Sequence, residues 1–551
     1  MGDMQRQCRL TDKDFIVSEW EQDFLRKKGF PLPTLCPEER HRRRLAYRNE
    51  RKLYKDKCAG TGKSIISLYS PDKDFTVYSQ DYWWSDKWDA RDYGRDYDFS
   101  RPFFEQFKDL QKVAPRLSLL NTKAENSEYC NVTTSNRNCY LVFGGDFNED
   151  CMYSVFCFYS RDCSDLYWVN RSELCYECVD CNDLYNCKFC AHSYNCRDSA
   201  FLYDCRACSN CFACVGLRNK QYYFFNKQYL KEDYELKVAE YKLRSNSGLK
   251  RAKEDFAKFK LSMPHRANFI INCENCSGND LVNCKNSVNC FDVEGPAEDL
   301  KDVLIAGWNL HDALSCNHVG HGADNIYELS SSATASNCYF GNLNWYSSDL
   351  YYCDMVVNNS HDLLGCCGMK KASYCVLNKQ YSKDEYFDLK ARIIEHMKST
   401  GEWGEYFPIE NSPFAYNETI ANDYLPMTKA EVLAKGWKWQ DEELKELGKG
   451  DEVPDSIDDV DESICDKTFV CTLTGRAYKI NETEVKLYKR LWVPIPHFAP
   501  ETRNVGRFNA RQPWFLWERK CAKCGKDVNT SYAPDRPEQI FCEECYLKEV
   551  Y

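Results

Sequence analysis

The sequence predicts a mainly β chain with helices, whose body is a cysteine-rich parallel β-helix (a solenoid) in two stretches. Three observations predict it. Cys139, Cys151, Cys163, Cys175 and Cys187 recur every twelve residues, and Cys187, Cys196, Cys205 and Cys214 every nine. Asp312, Asn325, Asn337, Asp349 and Asp362 repeat the rhythm later, at 12 or 13. The two stretches also end alike: Asn226-Lys-Gln-Tyr229 matches Asn378-Lys-Gln-Tyr381 at an offset of 152, which relates Cys214 to Cys366 and Gly216 to Gly368 as well. A fixed short period means stacked turns of chain, and helical solenoid repeats need about 33 residues or more. One period is a whole small coil, or half of a coil twice as long.

The elements follow in order. The chain begins and ends with copies of one module at a constant offset of 463: Pro31, Arg40, Arg44, Arg48, Cys58, Gly62, Lys63 and Tyr69 recur as Pro494, Arg503, Arg507, Arg511, Cys521, Gly525, Lys526 and Tyr532. The first copy spans 1–90 and a helical connector 91–118. The β-helical stretches span 119–228 and 266–380. Asn or Asp before most of the periodic cysteines suits a turn, because such residues tolerate the left-handed conformation. A small apolar Cys next to it suits an inward corner. A helical segment, 229–265, follows the first stretch and breaks at Ser245-Asn-Ser-Gly248. A helix and an acidic linker, 381–463, follow the second. Ser382 with Glu385, and Thr428 with Glu431, read as capping boxes. The second module copy spans 464–551.

Composition narrows the function classes. Hydrophobic content of 43% suffices for real cores, and no apolar run reaches membrane-spanning length, so no membrane partner is expected. The first residues lack the apolar core of a signal peptide. Thirty-four cysteines then point to a reducing, cytoplasmic setting, where thiols are buried, bind metal or react. Net charge is −11, yet residues 26–57 hold twelve Lys or Arg against four acids.

The strongest motif is Cys521-x2-Cys524 followed by Cys542-x2-Cys545, the spacing of a four-thiolate Zn(2+) site. Four protein ligands leave no open position, so such a site is structural rather than catalytic. The module resembles zinc-ribbon or treble-clef domains. The run from Ser531 to Tyr546, and Tyr416-Asn-Glu-Thr419 with the segment to Trp439, are similar to an uncharacterised family of bacterial zinc-ribbon proteins, a resemblance that implies no activity. The amino-terminal copy has Cys58, Thr61, Ser79 and Tyr82 at the four ligand places, so metal is not expected there. Each copy opens with a further cysteine, Cys8 or Cys471, in Cys-x-Leu-Thr; a half-knuckle and a plain thiol both fit. Gly60-Thr-Gly-Lys-Ser64 fails as a phosphate loop because Lys57 stands where the first glycine belongs.

Two further sets are candidates. Arg40, Arg42, Arg43, Arg44, Arg48, Arg51, Lys52 and Lys55 could track a nucleic-acid backbone or an acidic partner, or form an internally paired face. Cys316, His318 and His321 could ligate a metal or make a Cys/His nucleophile, or sit as ordinary residues between coils. The Cys-x2-Cys pairs from Cys175 to Cys214, with Cys273 and Cys276, read first as core and second as metal sites. Taken together, the sequence points to a non-enzymatic scaffold or assembly protein that meets protein partners or other copies of itself. Nucleic-acid binding through 40–57 is the alternative, and an enzyme around Cys316, His318 and His321 the second.

Overall fold

The computed structural model describes residues 2–441 and 450–551. Two compact units emerge, each assembled from distant parts of the chain. The first joins Met1–Leu119 to Asn268–Asp441, and the second joins Leu120–Ala267 to Glu442–Tyr551. Each module copy therefore belongs with the parallel stretch that is remote from it in sequence. The fold is mixed, with strands in the body and helices in the modules and after each parallel stretch. Among the described residues, no helix is long and apolar enough to cross a membrane.

The body of each unit is a ladder of parallel strands, short in the second unit and up to 28 residues long in the first. In the second unit Val155, Tyr167 and Val179 lie side by side in one column, and Arg197 and Ser209 in another. The step is twelve residues, so the chain returns beside itself after one period rather than two. In the first unit the step is 11 to 13: Ile270 faces Leu281, Asn342 faces Asp354, and Ala297 faces Leu310. From 132 to 225 every third residue has a positive φ, which gives four left-handed corners per circuit. Asn138, Asp150, Asp162, Asp183, Asn186, Asn195 and Asp198 take such corners, where short polar side chains are tolerated best. The residue after each corner turns inward, and the cysteines from Cys139 to Cys214 all occupy that place and are buried.

The inward position has a specific demand. Its backbone N–H points into a ladder whose interior is packed with side chains, so it needs an acceptor on a side chain. The N–H of Cys175 donates to Sγ of Cys163 at 3.4 Å, and that thiol donates to the carbonyls of Arg161 and Ser172 at 3.1 and 3.6 Å. Ser172 repeats the arrangement: its Oγ accepts from the Leu184 N–H at 3.1 Å and donates to Asn170 at 2.9 Å. Ser193 and Cys205 link likewise, at 3.3 Å. Cys and Ser recur inside because a single-atom arm can both accept and donate there. Among the described residues, no cysteine is disulfide-bonded.

Both ladders close on a short antiparallel strand, Lys227–Gln228 or Lys379–Gln380. Helices Lys231–Ala239 and Asn246–Ser262 follow the first, and Lys383–Ser399 the second. Ser382 and Glu385 form the capping box, as do Thr428 and Glu431. Gly248 is obligatory at the break, because a Cβ there would lie 2.1 Å from the Tyr241 carbonyl oxygen. Within the acidic stretch 440–462, residues 442–449 lie outside the described residues. The rest is not a free linker: Asp455 accepts from the Ser247 N–H at 2.8 Å, and Asp458 pairs with Arg244.

Candidate metal centre

The carboxy-terminal module builds its centre from two pieces. Strands Trp517–Lys520 and Asp527–Thr530 form an antiparallel hairpin whose turn is Cys521-Ala-Lys-Cys-Gly-Lys526. The Cys521 N–H donates to the Lys526 carbonyl at 2.8 Å, the Gly525 N–H returns to the Cys521 carbonyl at 2.9 Å, and Gly525 takes φ 75°. That knuckle aims Cys521 and Cys524 the same way. The other two thiols come from a helix start: Cys542 precedes Glu543–Val550 as its cap, and Cys545 lies in the first turn. The four Sγ atoms lie within 4.8 Å of one another. Sγ of Cys524 and Cys542 are 3.8 Å apart, and the edge of a tetrahedron with metal–sulfur bonds of about 2.3 Å is about 3.8 Å. The donor set therefore fits a tetrahedral thiolate metal ion. Burial opposes ionisation of Cys521, but the N–H groups of Cys542, Cys524 and Lys523 outweigh it and lower this thiol to about 6. The Cys542 N–H donates to Sγ of Cys521 at 3.3 Å.

The amino-terminal copy keeps the backbone and has lost the ligands. Cys58 N–H donates to Lys63 at 2.9 Å, Gly62 takes φ 70°, and the Ser79 N–H donates to Sγ of Cys58 at 3.2 Å. Ser79 caps helix Gln80–Trp84, as Cys542 caps its own. The ring of Tyr82 lies where a Cβ on Gly60 would be, 2.4 Å from it. A glycine at 60 is what lets this ring cover the knuckle.

Each module also holds a second knuckle, at the place where the sequence leaves a half-knuckle and a plain thiol both open. Cys8 and Cys471 each close a hairpin turn, with N–H bonds to Lys13 and Arg476 at 2.8 and 2.7 Å. A helix start faces each turn, at Cys36 before Pro37–Leu45 and at Ala499 before Pro500–Ala510. Neither set carries four ligands: Cys8, Thr11, Cys36 and Glu39 occupy one, and Cys471, Thr474, Ala499 and Thr502 the other. Glu39 is turned to Arg42, at 3.1 Å. So among the described residues there are four knuckle-and-helix sites and one complete thiolate set.

The basic segment is placed differently from the phosphate-tracking expectation. Arg40, Arg42, Arg43, Arg44 and Arg48 are buried. Arg40 pairs with Glu21 at 3.2 Å and with Asp302 of the ladder at 3.3 Å. Arg44 pairs with Glu328, and its Nε donates to Asn317 at 2.5 Å. Arg43 pairs with Glu405 at 2.7 Å, and Arg48 with Glu50 at 2.6 Å. Arg51 meets Asp423 at 2.7 Å, Lys52 takes part in a turn with Asn49, and Lys55 lies exposed on a hairpin strand. For Arg40 and Arg44 the reason is the ladder's acidic corners at Asp302 and Glu328, which the guanidiniums neutralise out of solvent, while Arg43, Arg48 and Arg51 pair with acids outside the ladder. The second unit repeats the device: Arg503 and Arg507 clasp Asp165 at 3.3 and 2.5 Å, and Arg511 clasps Asp180 at 2.8 Å.

Cys316, His318 and His321 do not converge. Cys316 is a fully buried inward residue whose thiol burial pushes up to about 12. His318 lies 3.7 Å from Glu50, and the ring of His321 lies against Trp308 with centroids 4.7 Å apart. His318 and His321 are themselves left-handed corners, with φ 55° and 53°, whereas Cys316 follows the corner at Ser315 and turns inward, so nearness in sequence does not bring them together. Among the described residues, Cys521, Cys524, Cys542 and Cys545 form the one group of metal-ligating side chains.

No family model matches the chain, and no curated protein matches it. A solved structure from Desulfovibrio desulfuricans G20, provisionally assigned as an acetyltransferase, aligns at 7% identity over 46% of this chain. The chain spans 65% of that structure's length, with a TM-score of 0.11.

Proposed function

We propose that the protein is a non-enzymatic scaffold: two β-helical solenoid bodies, each clasped by a treble-clef-like module, with one structural Zn(2+) at Cys521, Cys524, Cys542 and Cys545. The observation that carries this reading is how the ladder's chemistry is spent. Inward thiols and hydroxyls are engaged in the backbone relay. Outward charges pair with one another along columns, as Arg161 with Glu173 at 2.7 Å and Arg171 with Asp183 at 2.7 Å. Such a body is rigid, regular and suited to presenting a surface. Phe147 and Tyr159 stack on that surface with centroids 4.9 Å apart, exposed by 49% and 60%. Exposed aromatic pairs are effective anchors for a protein partner or a second copy.

Elemental analysis and sedimentation velocity on reduced protein test the reading together. One zinc and no iron per chain, with association that weakens in the variant F147S/Y159S, supports it. Iron, or more than one metal per chain, would return the body cysteines to catalysis. Association unchanged by the variant would remove the aromatic ledge from the proposal. The nucleic-acid alternative fares worse. Arg42, Arg43 and Arg44 changed to Glu would bury like charges beside Glu39, Glu405 and Glu328, so the triple variant is expected to unfold the first unit rather than merely release a phosphate backbone.

A further inference from the structure

The ladder relay has one accessible end. Strand Ile270–Ile271 begins the ladder of the first unit and pairs only with Gly278–Val288 among the described strands. Cys273 follows it and sits beside Cys284, because Ile271 faces Val282 and Glu274 faces Lys285. The Cys284 N–H donates to Sγ of Cys273 at 3.3 Å, and Cys273 donates to the Ile271 carbonyl at 3.2 Å. That is the interior relay, but with no earlier circuit covering it. Cys273 and Cys276 are partly exposed, whereas the other ladder cysteines are buried. Ile270, Asn272, Cys273, Glu274, Asn283, Cys284 and Lys285 line an open cavity of about 550 Å³.

We propose that Cys273 and Cys284 form a thiol–disulfide exchange site at this open end, taking a low-molecular-weight disulfide as its reaction partner. Directly stacked residues of parallel strands stand about 5 Å apart, within the Cα range a disulfide accepts. The contact with the Cys284 thiol and N–H, working against partial burial, lowers Cys273 to about 6, and the same contact pushes Cys284 up. Cys273 is thus the attacking thiolate and Cys284 the protonated partner. The Cys273 thiolate attacks one sulfur of the disulfide, a mixed disulfide forms, and one thiolate leaves. Cys284 gives its proton to solvent and attacks Sγ of Cys273, which expels the second thiolate. Two protein thiols are oxidised by two electrons, and one small disulfide is reduced to two thiols. This exchange goes beyond the scaffold reading and does not depend on it.

The test uses the full-length reduced protein near neutral pH with oxidised glutathione as probe, quenched by alkylation and mapped by peptide mass. Cys465 is partly exposed and pushed up by burial and neighbouring acids, which makes it an internal reference. Cys273 is expected to react about tenfold faster than Cys465, and a linked Cys273–Cys284 peptide should follow. Cys284→Ser should trap the mixed disulfide at Cys273, and Cys273→Ser should abolish both products. Equal rates at Cys273 and Cys465 would overturn the proposal. So would a linked Cys273–Cys276 peptide, or a bound metal that protects all three thiols together. The wild-type kinetics decide the matter even if a variant folds poorly.

Discussion

At the scale of single residues, the two module copies form a natural comparison. The knuckle hydrogen bonds agree to within 0.1 Å between Cys58 and Cys521, at 2.9 and 2.8 Å, although only one copy has four thiols. Thr61, Ser79 and Tyr82 stand in the ligand places of the amino-terminal knuckle, so a four-thiolate site is not what holds it. The turn and the helix cap hold it unaided. It follows that T61C/S79C/Y82C should restore a tetrahedral thiolate site, and zinc content should rise from one to two per chain. Removing the Tyr82 ring also frees the space above Gly60 that an ion needs. Zinc unchanged at one per chain would mean that the first knuckle has drifted from ligating geometry. The spacing alone made Cys521, Cys524, Cys542 and Cys545 legible in the sequence. At Cys8 and Cys471 a half-knuckle and a plain thiol both fit the sequence, because a knuckle with one or two cysteines has no spacing to decide between them.

At the scale of elements, the cysteines are explained by backbone chemistry rather than by packing alone. A purely apolar core would tolerate Cys163→Ala better than Cys163→Ser, since burying a hydroxyl is costly. The relay demands the reverse order. Serine keeps an acceptor for the Cys175 N–H, whereas alanine leaves that buried donor without one, at about 1–3 kcal/mol. Guanidinium denaturation of the two variants, read in the second unit, separates the accounts: Ser should lie within about 1 kcal/mol of the parent and Ala clearly below it. Alanine tolerated better than serine would reduce the ladder to apolar packing. The repeat of twelve was visible in the sequence, but the finer repeat of three was overlooked. From Cys130 to Cys214 the cysteines are separated by multiples of three, a signal that names the inward position. The corner conformation was legible where Asn or Asp occupies it. It was hidden at Phe156, Trp168 and Phe201, which take the same positive φ against their own preference because the register leaves no other choice.

At the scale of the whole molecule, each unit is held by charges and imidazoles sealed between a module and a ladder. The sequence leaves the basic run open as an outward face or an internally paired one, because charge density alone does not tell a solvated stripe from one that meets buried acids. Only the pairing of Met1–Leu119 with Asn268–Asp441 brings Arg40 to Asp302, and no local pattern encodes that pairing. Sealing these interfaces traps histidines in the neutral form. Burial, reinforced by Arg511 and Lys260, lowers His192 to about 3; burial, reinforced by Lys260, lowers His265 to about 4. Burial beside Arg44 and Arg48 lowers His41 and His318 in the first unit. All four folded values lie below the unfolded value near 6.5, so the stability they confer is full above that pH. It drains as pH falls towards the folded values, because only the unfolded chain takes up the protons. Each histidine should cost about 2 kcal/mol between neutrality and about pH 5. Asp146 works in the other direction. Burial raises it to about 6, so its contribution grows as pH falls through that value. In the second unit burial raises Asp162 and Glu484 as well, but His192 and His265 are shifted down to about 3 and 4, and its denaturation midpoint should fall on acidification. H192Q/H265Q should flatten the fall, and D146N should steepen it. Midpoints that do not move between these pH values, or a double variant as acid-sensitive as its parent, would show that the imidazoles take up protons without unfolding the interfaces.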